Sequence, residues 1–115
     1  MNQIQELARK YQDTVVALRR EFHRHPELSF QEVETTKRIA AELDKLGIPY
    51  EIDREKNTGL VACLKGGKPG KAVALRADID GLPVKEMTGL PFASENDGKM
   101  HACGHDNHIA MLLGA

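Results

Sequence analysis

Between residues 4 and 22 the apolar side chains fall at Ile4, Leu7, Ala8, Tyr11, Val15, Leu18 and Phe22, three or four apart with charges between them. That spacing predicts an amphipathic helix. It should stop at His25, because the residue before a proline is pushed out of helical geometry and Pro26 cannot extend the hydrogen-bond ladder. A second helix is expected from about residues 29–31, with Val33, Thr36, Ile39, Ala40, Leu43 and Leu46 on one face and Gly47 as a left-handed C-cap. Residues 50–52, 60–64 and 72–77 then read as three strands. The run Lys-Gly-Gly-Lys-Pro-Gly-Lys at 65–71 is dense in turn formers, so the last two strands should pair as a hairpin. After Gly81 about 20 residues show no periodicity, which predicts a long structured loop. Helical spacing returns through Ile109, Leu112 and Leu113.

The order helix, helix, strands, helix predicts an α/β fold with an incomplete sheet. An apolar last helix beside so small a sheet leaves one face uncovered, so residues 1–115 read as a fragment of a larger domain.

Sixteen basic and 17 acidic residues leave a formal net charge of -1. That balance gives no electrostatic footprint for nucleic acid or an anionic membrane. The longest apolar run is too short to span a bilayer, and residues 1–6 lack the marks of a secretory signal, so a cytoplasmic location is expected. Phosphate-loop, dinucleotide-fold and zinc-ribbon signatures are absent.

The chemistry concentrates in two places. His101-Ala102-Cys103-Gly104-His105-Asp106-Asn107-His108 packs four candidate N/S metal ligands into eight residues. With Gly104 between them, Cys103 and His105 can converge on one ion. His101 and His108 can serve as further ligands, or they can orient a neighbour, contact substrate or cap the helix. A thiolate with an imidazole suits zinc, while manganese, cobalt and nickel stay open, as does the choice between one ion and two. The second place is Asp78 and Asp80, where an apolar strand gives way to a loop. Alternation sends both carboxylates to one side, suited to holding an imidazole or binding metal, with Arg76 placed to neutralise them. Cys63, among apolar neighbours in a strand, reads as a buried structural thiol. His23 and His25 diverge by about 200° on a helix, and both read as surface or helix-end residues.

Three stretches in order resemble one family. They are residues 19–32 (Arg-Arg-Glu-Phe-His through Pro-Glu-Leu-Ser-Phe-Gln-Glu), 74–83 (Ala-Leu-Arg-Ala-Asp-Ile-Asp-Gly-Leu-Pro) and the 101–108 cluster. Together they resemble the N-terminal part of the metal-dependent N-acyl-amino-acid amidohydrolases, which include hippurate and auxin-conjugate hydrolases. The resemblance implies a zinc-peptidase-like enzyme with an aminopeptidase-like catalytic domain, of which 1–115 is the first part. The rest of that domain and a lid or dimerisation domain would lie outside the chain. It further implies metal ligation by Cys103 and His105, and a catalytic aspartate at Asp78 or Asp80. The remaining ligands and a general-base glutamate would come from sequence outside 1–115. The implied reaction is metal-assisted hydrolysis of the amide of an N-acyl amino acid or peptide, with the fragment alone inactive and oligomerisation assigned to the absent domain. The competing reading is a noncatalytic metal-binding or interaction module.

Overall fold

A computed structural model describes residues 1–115. Helix α1 (Gln3–Arg24) is followed by α2 (Val33–Leu46), strands β1 (Tyr50–Ile52) and β2 (Leu60–Ala62), and a last helix α3 (His105–Gly114). The α/β order of helix, helix, strands, helix is thus the observed one.

Each helix begins and ends for a local reason. The α1 start is a capping box in which Asn2 Oδ1 accepts from the Gln5 N–H at 2.9 Å and Gln5 Oε1 accepts from the Asn2 N–H at 3.2 Å. Its end is His25, ahead of Pro26. The α2 helix starts at Val33, two to four residues later than its apolar spacing suggests. Glu32 makes no side-chain cap, and the free N–H groups are met instead by Glu27, whose carboxylate accepts from the Thr35 N–H (2.6 Å) and the Glu34 N–H (3.3 Å). Gly47 closes the helix with φ 70°, as expected.

The core joins the inner faces of the helices. Leu18 and Phe22 of α1, Ile39 and Leu43 of α2, and Ile109 and Ala110 of α3 form the buried cluster, with Val15, Ile48, Tyr50, Leu60, Ile79 and Leu113 packed around it. No helix is long and apolar enough to cross a membrane.

The sheet differs from expectation. β1 and β2 pair with each other, antiparallel, in the register Tyr50↔Ala62, Glu51↔Val61 and Ile52↔Leu60. The connecting turn carries positive φ at Asn57 (57°) and Gly59 (79°), and the Gly59 N–H is fixed to Thr36 Oγ1 of α2 at 2.8 Å. Residues 72–77 form no strand, and Val73 and Leu75 stand 87% and 66% exposed. A run apolar on both faces gains from pairing when both faces are covered, and none of the elements here covers it. Cys63 is a second correction, because the strand stops at Ala62 and the thiol is exposed.

Residues 78–100 are held by hydrogen bonds to the end of α1 and the α1–α2 turn, and by one pair within the segment. The Gly81 N–H donates to the Glu27 carbonyl at 2.7 Å, and Leu82 and Met100 exchange two bonds at 2.8 and 2.9 Å. Asn96 Nδ2 donates to the Pro26 carbonyl at 2.9 Å, and the Glu95 N–H donates to that of Arg24 at 2.8 Å. Gly81 is buried so tightly that an added Cβ would lie 2.9 Å from Pro26 Cβ and 3.3 Å from the Met100 carbonyl oxygen. The Gly81→Ala variant should therefore lose about 1–3 kcal/mol of stability, read as a lower urea midpoint. An unchanged midpoint would show that this contact yields freely.

Glu86 anchors the same loop from within. Burial pushes its carboxyl up, but hydrogen bonds from Thr88 and the Ser94 N–H, together with the nearby His23 imidazole, outweigh it and hold the group below its usual range. A carboxyl depressed in the folded state contributes stability above its unfolded pKa, and that stability is lost as pH falls through the folded value. Between about pH 5 and about pH 3 the wild type should lose more thermal stability than Glu86→Gln, measured by circular dichroism melts. Parallel pH profiles would contradict this.

Candidate active site

The anchoring of Gly81 places Asp78 and Asp80 beside the start of α3. Asp80 Oδ1 lies 2.9 Å from His105 Nδ1, and the Asp80 carbonyl oxygen lies 3.1 Å from the same nitrogen. Both neighbours are acceptors, so Nδ1 must carry the proton and donate, which leaves Nε2 as the outward-facing nitrogen. On that side Asp78 Oδ2 stands 3.9 Å from Nε2, while Asp78 Oδ1 takes the Arg76 Nη2 donor at 2.6 Å. The two aspartates thus flank one imidazole, but they do different work. Asp80 grips the ring; Asp78 faces its free edge.

The turn before α3 sets the other candidate donors. Gly104 is the N-cap, with φ 125° and ψ 13°, a backbone state that side-chain-bearing residues rarely adopt. No side chain caps this helix start. The Cys103 thiol is exposed. His108, one turn along α3, is exposed with its ring centroid 6.0 Å from that of His105. His101 is buried, and neither ring nitrogen has a hydrogen-bond partner. Desolvation holds its pKa below the usual histidine value, the nearby His23 and His105 add to that, and the opposing pull of Asp106 and Asp80 is weaker.

These donors are adjacent but not gathered, since no three His, Cys, Asp or Glu side chains stand at metal-binding spacing. Their chemistry nevertheless fits a divalent ion. A carboxylate holds the far nitrogen of an imidazole, a second carboxylate faces the near nitrogen, and an accessible thiol sits two residues away.

Sequence reasoning missed a second polar constellation. Asp106, fully buried in the first turn of α3, accepts from Arg19 Nε and from His23 Nδ1, each 2.8 Å from Oδ2. His23 is not a surface residue. It is 2% exposed, its Nε2 lies 2.9 Å from Glu86 Oε1 without the alignment of a hydrogen bond, and Phe92 meets its ring edge-on at 5.6 Å. His25 does lie exposed at the helix end. The available signal was spacing: Arg19 and His23 are i, i+4 neighbours, one position beyond the apolar Val15, Leu18 and Phe22 that face the core.

Residues 74–115 match the family model described as peptidase family M20/M25/M40. Over 106 residues the chain is 51% identical to thermostable carboxypeptidase 1 of Saccharolobus solfataricus, covering 92% of this chain and 27% of that protein. It is 47% identical over 112 residues to an N-acyl-L-amino acid amidohydrolase of Geobacillus stearothermophilus, covering 97% of this chain and 30% of that protein. Among solved structures, the Bacillus subtilis YXEP protein, a dinuclear metal binding peptidase from the M20 family, superposes with a TM-score of 0.85 at 48% identity, over 91% of this chain and 30% of that one. The resemblance read from the three motifs therefore holds. The chain is related to the M20 hydrolases, and its fold matches the N-terminal part of their peptidase domains. It spans less than a third of the length of the relatives named here.

The tautomer is directly testable. Long-range ¹H–¹⁵N spectra should show His105 protonated at Nδ1 in the wild type, and Asp80→Ala should shift the ring toward a mixture of tautomers. A ring protonated only at Nε2 in the wild type would contradict the grip of Asp80.

Proposed function

We propose that residues 1–115 are the N-terminal part of the catalytic domain of a metal-dependent amidohydrolase acting on N-acyl amino acids or small peptides. The observation that carries this reading is the His105 ring, pinned at Nδ1 by Asp80 and open at Nε2 toward Asp78. Carboxylate-held imidazoles are a recurrent metal-ligand arrangement, because the carboxylate fixes the tautomer and raises the basicity of the coordinating nitrogen. The similarity to the Geobacillus amidohydrolase and to the dinuclear Bacillus peptidase supports the same class.

In this reading Cys103 Sγ and His105 Nε2 are the ligands this chain provides. Asp80 acts through His105 as a positioning residue, and Asp78 is the carboxylate nearest the reacting centre. Gly104, at φ 125° and ψ 13°, gives the backbone between Cys103 and His105 the sharp turn through which both would reach one ion. Cys103 and His105 would together hold a divalent ion, zinc or manganese, whose chemistry there would be Lewis-acid activation of water and of the scissile carbonyl. His101 is buried behind this turn, and desolvation holds its pKa below the usual histidine value. His108 is the reserve donor on the open side. Further ligands and a general base belong to sequence outside 1–115, and the location assigned to the complete protein is cytoplasmic.

In the complete protein, Cys103→Ser and His105→Ala should each lower bound metal below stoichiometry and reduce hydrolysis of an N-acetyl amino acid by more than about 100-fold. Chelation should abolish turnover in the wild type and added zinc or manganese should restore it, while the isolated 115 residues should show none. Retention of both stoichiometric metal and full activity by the two variants would remove this reading. Tight metal binding without hydrolysis of any N-acyl amino acid or peptide would favour a noncatalytic metal module.

A further inference from the structure

The turn that presents Cys103 and His105 is tied directly at one residue, where Asp80 holds His105 Nδ1. Gly104 has no side chain, the helix start has no side-chain cap, the Cys103 side chain is exposed, and His101 makes no hydrogen bond through its ring. The next residue along is held from a different element. Asp106 is fully buried and receives two donors from α1, Arg19 Nε and His23 Nδ1. His23 is in turn confined by the Glu86 carboxylate at Nε2 and by the edge of Phe92, whose ring also lies beneath the guanidinium groups of Arg19 (5.1 Å) and Arg20 (4.9 Å).

A buried charge cluster of this kind is a poor source of net stability, since well-packed apolar side chains of the same volume commonly do as well. Directionality is what it adds. A carboxylate oxygen shared by two donors on a rigid helix fixes its own backbone in distance and in rotation, which an apolar contact does not do.

We infer that Asp106, held by His23 and Arg19, is a positioning residue that sets the Cys103–His105 turn for metal binding. The inference rests on the proposed ligand role of those two residues. Asp106 faces α1 and touches neither ion nor substrate in this scheme. Its effect is transmitted through one peptide unit to His105 and two to Gly104.

Cobalt(II) is the probe, because a cobalt–thiolate bond gives a charge-transfer absorption that reports Cys103 directly. In the complete protein, titrated with cobalt well below its melting temperature, Asp106→Asn should bind about 10 to 100-fold more weakly than wild type. Its thiolate absorption should be reduced at saturation, with a native far-ultraviolet circular dichroism spectrum. His23→Gln should show the same defect in lesser degree. A purely structural role would lower the melting temperature of both variants and leave cobalt affinity and the thiolate band unchanged; that result overturns the inference. If Asp106→Asn does not fold, His23→Gln decides on the same two readouts, and failure of both to fold overturns it too, because the cluster then holds the fold rather than the turn. Cys103→Ser and His105→Ala are the controls. Wild-type cobalt binding in these two removes the ligand assignment and this inference with it, whereas loss in the controls with unchanged binding in Asp106→Asn and His23→Gln removes this inference alone.

Discussion

A carboxylate with no access to water sits where α1 meets α3, and much of the molecule is arranged to make that tolerable. Asp106 is stable there because Arg19 and His23 reach it from α1 at 2.8 Å each, and an ionised carboxylate buried without such partners would cost several kcal/mol. The requirement propagates. His23 must be buried to serve Asp106, so its second nitrogen needs a neighbour, and Glu86 is brought in from the long loop to provide one. Glu86 is in turn satisfied by the Ser94 N–H and the Thr88 hydroxyl. One buried charge thus recruits a helix and two loop segments, and the start of α3 is fixed relative to α1 as a result.

The loop is held independently from its other end. Gly81 lies against Pro26 with no room for a side chain, and its N–H is spent on the Glu27 carbonyl. Glu27 also caps α2 through its carboxylate. The Pro-Glu-Leu turn and the Asp-Ile-Asp-Gly segment, more than 50 residues apart in sequence, are therefore one structural unit. This explains in physical terms why the first and second motifs occur together: the turn supplies the surface against which the aspartates are aimed at His105.

The helices were legible from apolar spacing, and Pro26 and Gly47 marked the stops, because those signals are local. Asp78 and Asp80 do both stand by one imidazole, but the strand whose alternation predicted this does not form, and the Gly81–Glu27 bond positions the segment instead. Nor was the strand pairing legible. Residues 65–71 carry the stronger turn composition, yet the hairpin forms across Asn57 and Gly59, the positions that adopt positive φ. Turn chemistry names several candidates and the partner strand chooses among them. Cys63 read as buried from its apolar neighbours, but a strand that ends at Ala62 leaves the thiol outside. His23 was misread for a subtler reason. Helical spacing sets His23 beside the core-facing Phe22, but burial of a histidine also depends on whether acceptors arrive from distant sequence, here residues 86 and 106, which spacing cannot record.

The distribution of packing explains why the candidate site relies on hydrogen bonds. The buried apolar cluster is six residues drawn from the three helices, and it ends at Ile109, one turn after His105. In the segment leading to Asp78 the apolar residues Val73 and Leu75 are exposed. A side chain at the margin of a core cannot be oriented by packing alone, because contacts on one side leave it free to rotate toward the other. Orientation there has to come from directional bonds, and the structure has them on both sides of the cluster: Asp80 on the His105 ring and Arg19 with His23 on Asp106. Cys103, with neither packing nor a bond to its side chain, is the donor whose position depends most on its neighbours. The turn thus holds the imidazole in place while leaving the Cys103 thiol free to move.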